Sequence, residues 1–225
     1  MNDIFDAKLS HQNLNDRTYL RLKAGLIAGT FRPGEPFVIR PLAERLGIST
    51  TPVREALQRL VTERLLVMLP NRSIVVPTLS SDEFAEIYRI RGELEGLSAE
   101  LALPHLKSVD VTHLKRQIGI MDKAIKRGDK TLYREANQLF HFMIYERADS
   151  PQLLEMIRTL WGQVGPVFYG LLDDPDYDGN EQHRQIIEAI EARDAAALRR
   201  CVAEDIATAG RTIAPRLNAL VADES

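Results

Sequence analysis

Several polar residues fall on faces that helical spacing otherwise fills with apolar side chains. Tyr133, Ala136, Asn137, Phe140, His141 and Ile144 recur at the period of a helix, so Asn137 and His141 lie one turn apart on a single stripe. His183 shares a stripe with Ile186, Ile187 and Ile190, and Asp205 shares one with Leu198, Cys201, Val202, Ile206 and Ala209. A fourth stripe holds Phe84, Ile87, Tyr88, Arg91, Glu95 and Ser98. A buried polar group without a partner costs ~2–7 kcal/mol, depending on the reference state. Polar residues on the core faces of different helices therefore predict one shared site. Two imidazoles, a carboxylate and the Asn137 oxygen make a donor set for a divalent metal, with water at the open positions. Taken singly, each histidine reads as a core residue held by a hydrogen bond. Arg91 is a candidate anchor for a small carboxylate, and Glu95, one turn away, is its alternative internal partner.

Those stripes need helices to carry them. Six amphipathic segments are predicted, over 81–103, 108–127, 130–147, 151–172, 178–192 and 194–218, with Ser or Asp at their starts. Residues 79–225 are expected to form an all-α bundle that binds an effector and dimerises. No glycine-rich phosphate loop, GxSxG or HExxH motif is present. His11, His105 and His113 read as surface residues, and Cys201 as a small core residue. Trp161, Phe168 and Tyr169 read as core or pocket wall.

The front of the chain follows another plan. Tyr19, Leu22, Leu26 and Gly29 mark the inner side of a first helix, with Arg17, Arg21 and Lys23 pointing elsewhere. A short helix over 41–46 stops at Gly47. Ile48-Ser49-Thr50 makes a tight turn, and Thr51 caps the next helix with Pro52 at its first position. Val53, Ala56, Leu57 and Leu60 face inward on that helix. Two β-prone runs, 65–69 and 74–76, bracket Pro70-Asn71-Arg72-Ser73 as a hairpin. The layout predicts a winged helix-turn-helix over 13–78, behind a tail over 1–12. Its second helix would enter the major groove of operator DNA. Arg40, Ser49, Thr50, Thr51 and Arg54 are the candidate contacts, with Arg72 at the wing tip.

Composition first points away from DNA. The chain has 225 residues, 44 % hydrophobic and 27 % charged, and a net charge of −3. Residues 1–78, however, carry 11 Lys and Arg against 7 Asp and Glu, a net of +4, which leaves −7 on the rest. The split predicts two modules with different partners. One cysteine excludes an intrachain disulfide and a CxxC motif. No apolar run approaches the ~20 residues of a membrane span. With no signal peptide visible, the expected location is cytoplasmic.

The run PLAERLGISTTPVREALQRL, preceded by GTFRPGE and followed by LPNRSIVVP, resembles the GntR family of bacterial transcription regulators. Ile87 to Glu95, IYRIRGELE, is similar to the first helix of the FCD effector domain found in its FadR-like members. The resemblance runs from about residue 13 to 215. It implies a mainly α protein, a winged helix-turn-helix followed by an FCD-like bundle. Arg40 and Arg54 match DNA-contacting positions of the family. Thr50 stands where the family usually has Arg. Arg64 and Ser73 stand at usual Gly positions, so both turns are expected to avoid left-handed backbone, or Arg64 to add a phosphate contact. Many FCD domains bind metal through an Asp-x3-His pair and two further histidines. Here Asn137 takes the Asp position, His141 and His183 match, and Asp205 replaces the last His. The implied ion is Zn²⁺, Ni²⁺, Mn²⁺ or Mg²⁺, and the carboxylate favours an ion that prefers oxygen.

Together these features predict a homodimeric regulator of double-stranded operator DNA, not an enzyme, responsive to a small organic acid held by Arg91 beside the metal. Two alternatives stay open: a metal sensor, in which the ion is the signal, and a metalloenzyme acting on a small acid.

Overall fold

The computed structural model of the chain describes residues 12–168 and 179–217. His11 and Tyr169 lie outside them. Helix α1 (Gln12–Ile27) buries Tyr19, Leu22 and Leu26 on one side, as its periodicity predicts. Lys23 departs from expectation: it is 4 % exposed. The reason is tertiary. Helix α1 packs against α3 (Thr50–Thr62) on one side and α7 (Pro151–Val164) on another, so more than its apolar stripe is covered.

Helix α2 (Ile39–Leu46) ends at Gly47, whose φ of 67° is the left-handed conformation that closes a helix. There the Gly47 N–H donates to the Glu44 carbonyl and the Ile48 N–H to the Ala43 carbonyl, both at 3.1 Å. Helix α3 begins earlier than its sequence suggests. Ser49, not Thr51, is the capping position, and Pro52 is the third helical residue. Proline is tolerated there because the first N–H groups of a helix have no intrahelical acceptor to lose. Strands β1 (Val67–Met68) and β2 (Ile74–Val75) pair antiparallel, with Val67 opposite Val75. Pro36 bridges to Val75 from the far side, and the Phe37 N–H donates to the Ile74 carbonyl at 2.8 Å. This is the predicted wing. Leu26, Val53, Leu57, Leu60, Leu65 and Val76 are among the residues of one apolar core beneath it.

A second core joins the remaining helices: α4 (Ser81–Ala102), α5 (Ser108–Arg127), α6 (Lys130–Tyr145), α7, α8 (Gly179–Glu191) and α9 (Ala195–Ile213). The predicted segments differ from these by a few residues at their ends, apart from the fourth, part of which lies outside the described residues. Helix α4 starts in a capping box. The Ser80 N–H donates to Glu83 Oε2 at 2.9 Å, and the Glu83 N–H donates to Ser80 Oγ at 3.3 Å. Asp129 and Asp194 cap α6 and α9, each accepting a backbone N–H at 2.9 Å. The most extensive helix pairing is α4 on α9, while α6 packs on α5 and α8 on α9. That arrangement turns the polar stripes of α4, α6, α8 and α9 toward one interior. Among the described residues, no helix is long and apolar enough to cross a membrane.

Candidate functional site

Three of the four expected metal ligands meet. One donor atom each from His141, His183 and Asp205 lies within 4.8 Å of the others, and all three residues are buried. His141 Nε2 is 3.2 Å from Asp205 Oδ2, and His183 Nε2 is 3.7 Å from Asp205 Oδ1. The two Nε2 atoms are 3.3 Å apart. Asn137 is buried one turn before His141 on the same stripe, at 4 % exposure.

The surrounding hydrogen bonds decide which ring nitrogens carry protons. Tyr145 Oη donates to Glu95 Oε2 at 2.6 Å, so toward His141 Nδ1, 3.0 Å away, it acts as acceptor. Asn180 Nδ2 donates to Asp122 Oδ1 at 2.7 Å, which leaves Asn180 Oδ1 to accept from His183 Nδ1 at 3.3 Å. These contacts turn the Nδ1 hydrogen of each ring outward and leave Nε2 facing the site. Two imidazole Nε2 atoms and a carboxylate then face one another in a buried space. This is the donor set a cation fits, with the outer hydrogen bonds that fix the tautomer of a ligating histidine. Burial pushes the His183 pKa down to about 4, so the ring stays neutral at ordinary pH. Burial works to raise the Asp205 pKa, but His183, His141 and Arg91 outweigh it and hold the group below its usual value.

Arg91 lies at the other end of this network. Its Nε donates to Glu95 Oε1 at 2.6 Å, with both side chains buried. The internal pair anticipated from the sequence is therefore formed. It does not exhaust the guanidinium, because Nη1 is buried without a hydrogen-bond partner among the described residues. Glu95 Oε2 also accepts from Trp161 Nε1 at 3.0 Å, which makes the tryptophan a polar partner as well as a wall. Tyr145 and Asn180 were missed in the sequence, although each stands one turn from a candidate histidine. His105 and His113 are exposed, and Cys201 is partly buried against the core.

At the front of the chain, Arg40, Ser49, Thr50, Thr51, Arg54 and Arg72 are all exposed. Thr50 and Arg54 share a face at i, i+4, opposite the inward-facing Val53, Ala56, Leu57 and Leu60. Ser49 makes no side-chain cap, so its hydroxyl stays available. Among the described residues, no ion pair engages Arg40, Arg54 or Arg72. In this part of the chain two arginines adopt left-handed backbone, Arg64 at φ 60° and Arg72 at φ 66°. Arg64 thus departs from the expectation for its turn. At the wing tip the left-handed residue is Arg72, and Ser73 is not among the positive-φ residues.

The front module and the helical bundle meet at a contact that the sequence did not reveal. Lys23 Nζ donates to Glu155 Oε1 at 2.5 Å, to Tyr19 Oη at 2.9 Å and to Glu63 Oε2 at 3.0 Å, joining α1, α3 and α7. Arg134, on the same helix as His141, donates from Nη1 to the Gly29 carbonyl at 3.2 Å. The backbones touch here. A Cβ on Gly165 would lie 2.1 Å from the Leu26 carbonyl oxygen, and one on Gly29 would lie 2.4 Å from that of Gly165.

Comparison with known proteins agrees with this architecture. Residues 14–76 match the description "Bacterial regulatory proteins, gntR family", and residues 86–208 match the FCD domain. The regulator McbR of Escherichia coli K12 is 34 % identical over 201 residues, covering 88 % of this chain and 91 % of that protein. The repressor GlaR of the same organism is 28 % identical, covering 79 % of this chain and 86 % of its own length. The solved structure of E. coli McbR superposes with a TM-score of 0.79 at 31 % identity, covering 94 % of this chain and 99 % of that one. A regulator from Rhodococcus sp. RHA1 shares the fold, with a TM-score of 0.66 at 22 % identity, covering 91 % of this chain and 97 % of that one. These relatives are transcription regulators, not enzymes.

Proposed function

The chain belongs to the GntR family of bacterial regulatory proteins and is a transcription regulator with an FCD domain, and from that premise we propose a metabolite-responsive regulator whose signal is a small carboxylate bound beside a metal ion. Residues 13–78 read the operator and residues 79–225 bind the effector and dimerise. Arg40, Ser49, Thr50, Thr51, Arg54 and Arg72 contact DNA. The homodimer recognises an inverted repeat, since a two-fold protein matches a two-fold site. His141, His183 and Asp205 hold the ion, with Asn137 as the candidate fourth ligand. When bound, a divalent cation supplies a fixed positive charge for an anionic oxygen.

The observation that carries the reading is the pair of buried Nε2 atoms 3.3 Å apart beside Asp205. Charge supplies the link to the effector. Arg91 is paired with Glu95, so the Asp205 carboxylate gives the site a negative end that repels an anion. A divalent ion reverses that sign. Carboxylate binding should therefore depend on the metal, and the ligand can shift operator affinity only through unequal affinity for the two states of the protein.

The test is a thermal-shift screen of organic acids with and without divalent metals, followed by operator gel shifts with the acids that respond. We expect a rise in melting temperature for an acid only in the presence of metal, and a change in operator binding to match. Elemental analysis should find about one ion per chain, lost in His141→Ala. If no metal is found and His141→Ala changes neither stability nor effector response, the metal reading falls. Operator binding that follows metal but no organic acid would make the ion itself the signal.

A further inference from the structure

The helix that carries Asn137 and His141 also reaches the DNA-reading end of the chain. Arg134, Asn137 and His141 stand at i, i+3 and i+7 on α6, so they share one face, and all three are buried. About 10 Å of helix axis separates Arg134 from His141. Arg134 Nη1 donates to the Gly29 carbonyl at 3.2 Å. That carbonyl stands at the end of α1, where helix carbonyls run out of intrahelical donors. A guanidinium suits the position, because the helix macrodipole is negative there.

A second helix makes the same connection. Tyr145 Oη, 3.0 Å from His141 Nδ1, donates to Glu95 Oε2, and the same oxygen accepts from Trp161 Nε1 of α7. The next residue along, Gly162, faces the front module: a Cβ there would meet the Leu65 side chain at 2.5 Å. Glu155 of α7 holds Lys23 of α1. Helices α6 and α7 thus both run from the surroundings of one imidazole to α1. The docked arrangement leaves Arg40, Ser49, Thr50, Thr51 and Arg54 exposed. Docking therefore does not cover the DNA-reading residues. It fixes the direction in which they face.

We infer that Arg134 is a coupling residue: through its bond to Gly29, the occupancy of the His141, His183 and Asp205 site sets how firmly α1 is seated on the bundle. The direction of the DNA-reading helix follows, because α1 packs on α3. This rests on the metal reading above and deepens it. An ion shared by the three ligands ties α6 to α8 and α9. Arg134 stands on the helix so tied. An ion that binds this arrangement better than looser ones shifts the population toward it, and the seated form of α1 gains with it. Regulation then works on the orientation of exposed DNA-reading residues, not on their access to DNA.

The experiment follows amide hydrogen exchange in full-length wild type, Arg134→Met and Arg134→Gln, each stripped with a chelator and then loaded with Zn²⁺ or Mn²⁺ alone. The reporters are the Ala28, Gly29 and Thr30 amides, which donate to the Ala24, Leu26 and Gly25 carbonyls at the end of α1. In wild type we expect the ion to slow their exchange roughly tenfold, the worth of one hydrogen bond to a charged group. In whichever variant folds, the ion should bind at wild-type content and still raise the melting temperature, but exchange at these amides should be the same with and without it. A role confined to packing would speed exchange equally in the stripped and loaded variant and keep the wild-type ratio, which overturns the inference. An ion that binds wild type without slowing these amides also overturns it, while the metal reading stands. If wild type takes up neither ion, the metal reading fails and takes the inference with it.

Discussion

Arg54 and Thr50 share the outward face of α3, and the chemistry they offer DNA differs. A guanidinium can fork onto a guanine edge or a phosphate, whereas a hydroxyl makes a single adaptable bond. On the proposed interface, the forked contact that the family resemblance implies at the position of Thr50 gives way to a single bond, and Arg54 is expected to carry more of the affinity. Arg54→Ala is expected to abolish operator binding in a gel shift while the circular dichroism and melting temperature stay unchanged, since the side chain is exposed. Retained binding would remove Arg54 from the interface. Arg64 and Arg72 hold left-handed backbone that glycine adopts more cheaply, at a cost on the order of 1–2 kcal/mol each.

At the scale of elements, the contact of α1 with α7 explains what periodicity did not. The Gly29 and Gly165 backbones touch where a side chain would separate the helices. Gly165→Ala should therefore destabilise the protein by ~1–3 kcal/mol or more, the range for overpacking, as read from denaturant midpoints. An unchanged midpoint would mean that α1 does not dock there. Lys23 and Glu63 give the same contact a pH dependence. Burial raises the Glu63 pKa, but hydrogen bonds from Tyr19, Lys23 and Arg59 outweigh it and hold the carboxyl below its usual 4.5. Between those two values the unfolded chain binds more protons than the folded one. The contribution of Glu63 is thus intact above pH 4.5 and is lost as pH falls through its lower, folded-state pKa. In urea titrations across that window, wild type should lose stability more steeply than Glu63→Gln. Parallel slopes would show that the cluster does not couple to folding.

Across the whole molecule, charge and symmetry act together. A net of +4 on residues 1–78 is modest for one DNA-reading head. Two heads on a homodimer double it and should bind operator with strong salt dependence. We expect the sedimentation mass of a dimer, and a loss of most binding when one half of the inverted repeat is scrambled. Full affinity for a single half-site would mean that one head suffices.

The sequence by itself determined the mainly helical architecture, the wing, and the stripes that carry Arg91, Asn137, His141, His183 and Asp205, because periodicity and turn residues report on which face of an element is buried. It also exposed the division of charge that a net of −3 conceals. Only the tertiary structure decided which buried polar groups find partners. Spacing along one helix offered the Arg91–Glu95 pair as one alternative, and it could not show that Tyr145 and Asn180 orient the imidazoles. Nor could it show Lys23 buried between α3 and α7, since that environment is made by residues up to 136 positions away. Periodicity records that a face is covered, and the chemistry of the site depends on what covers it.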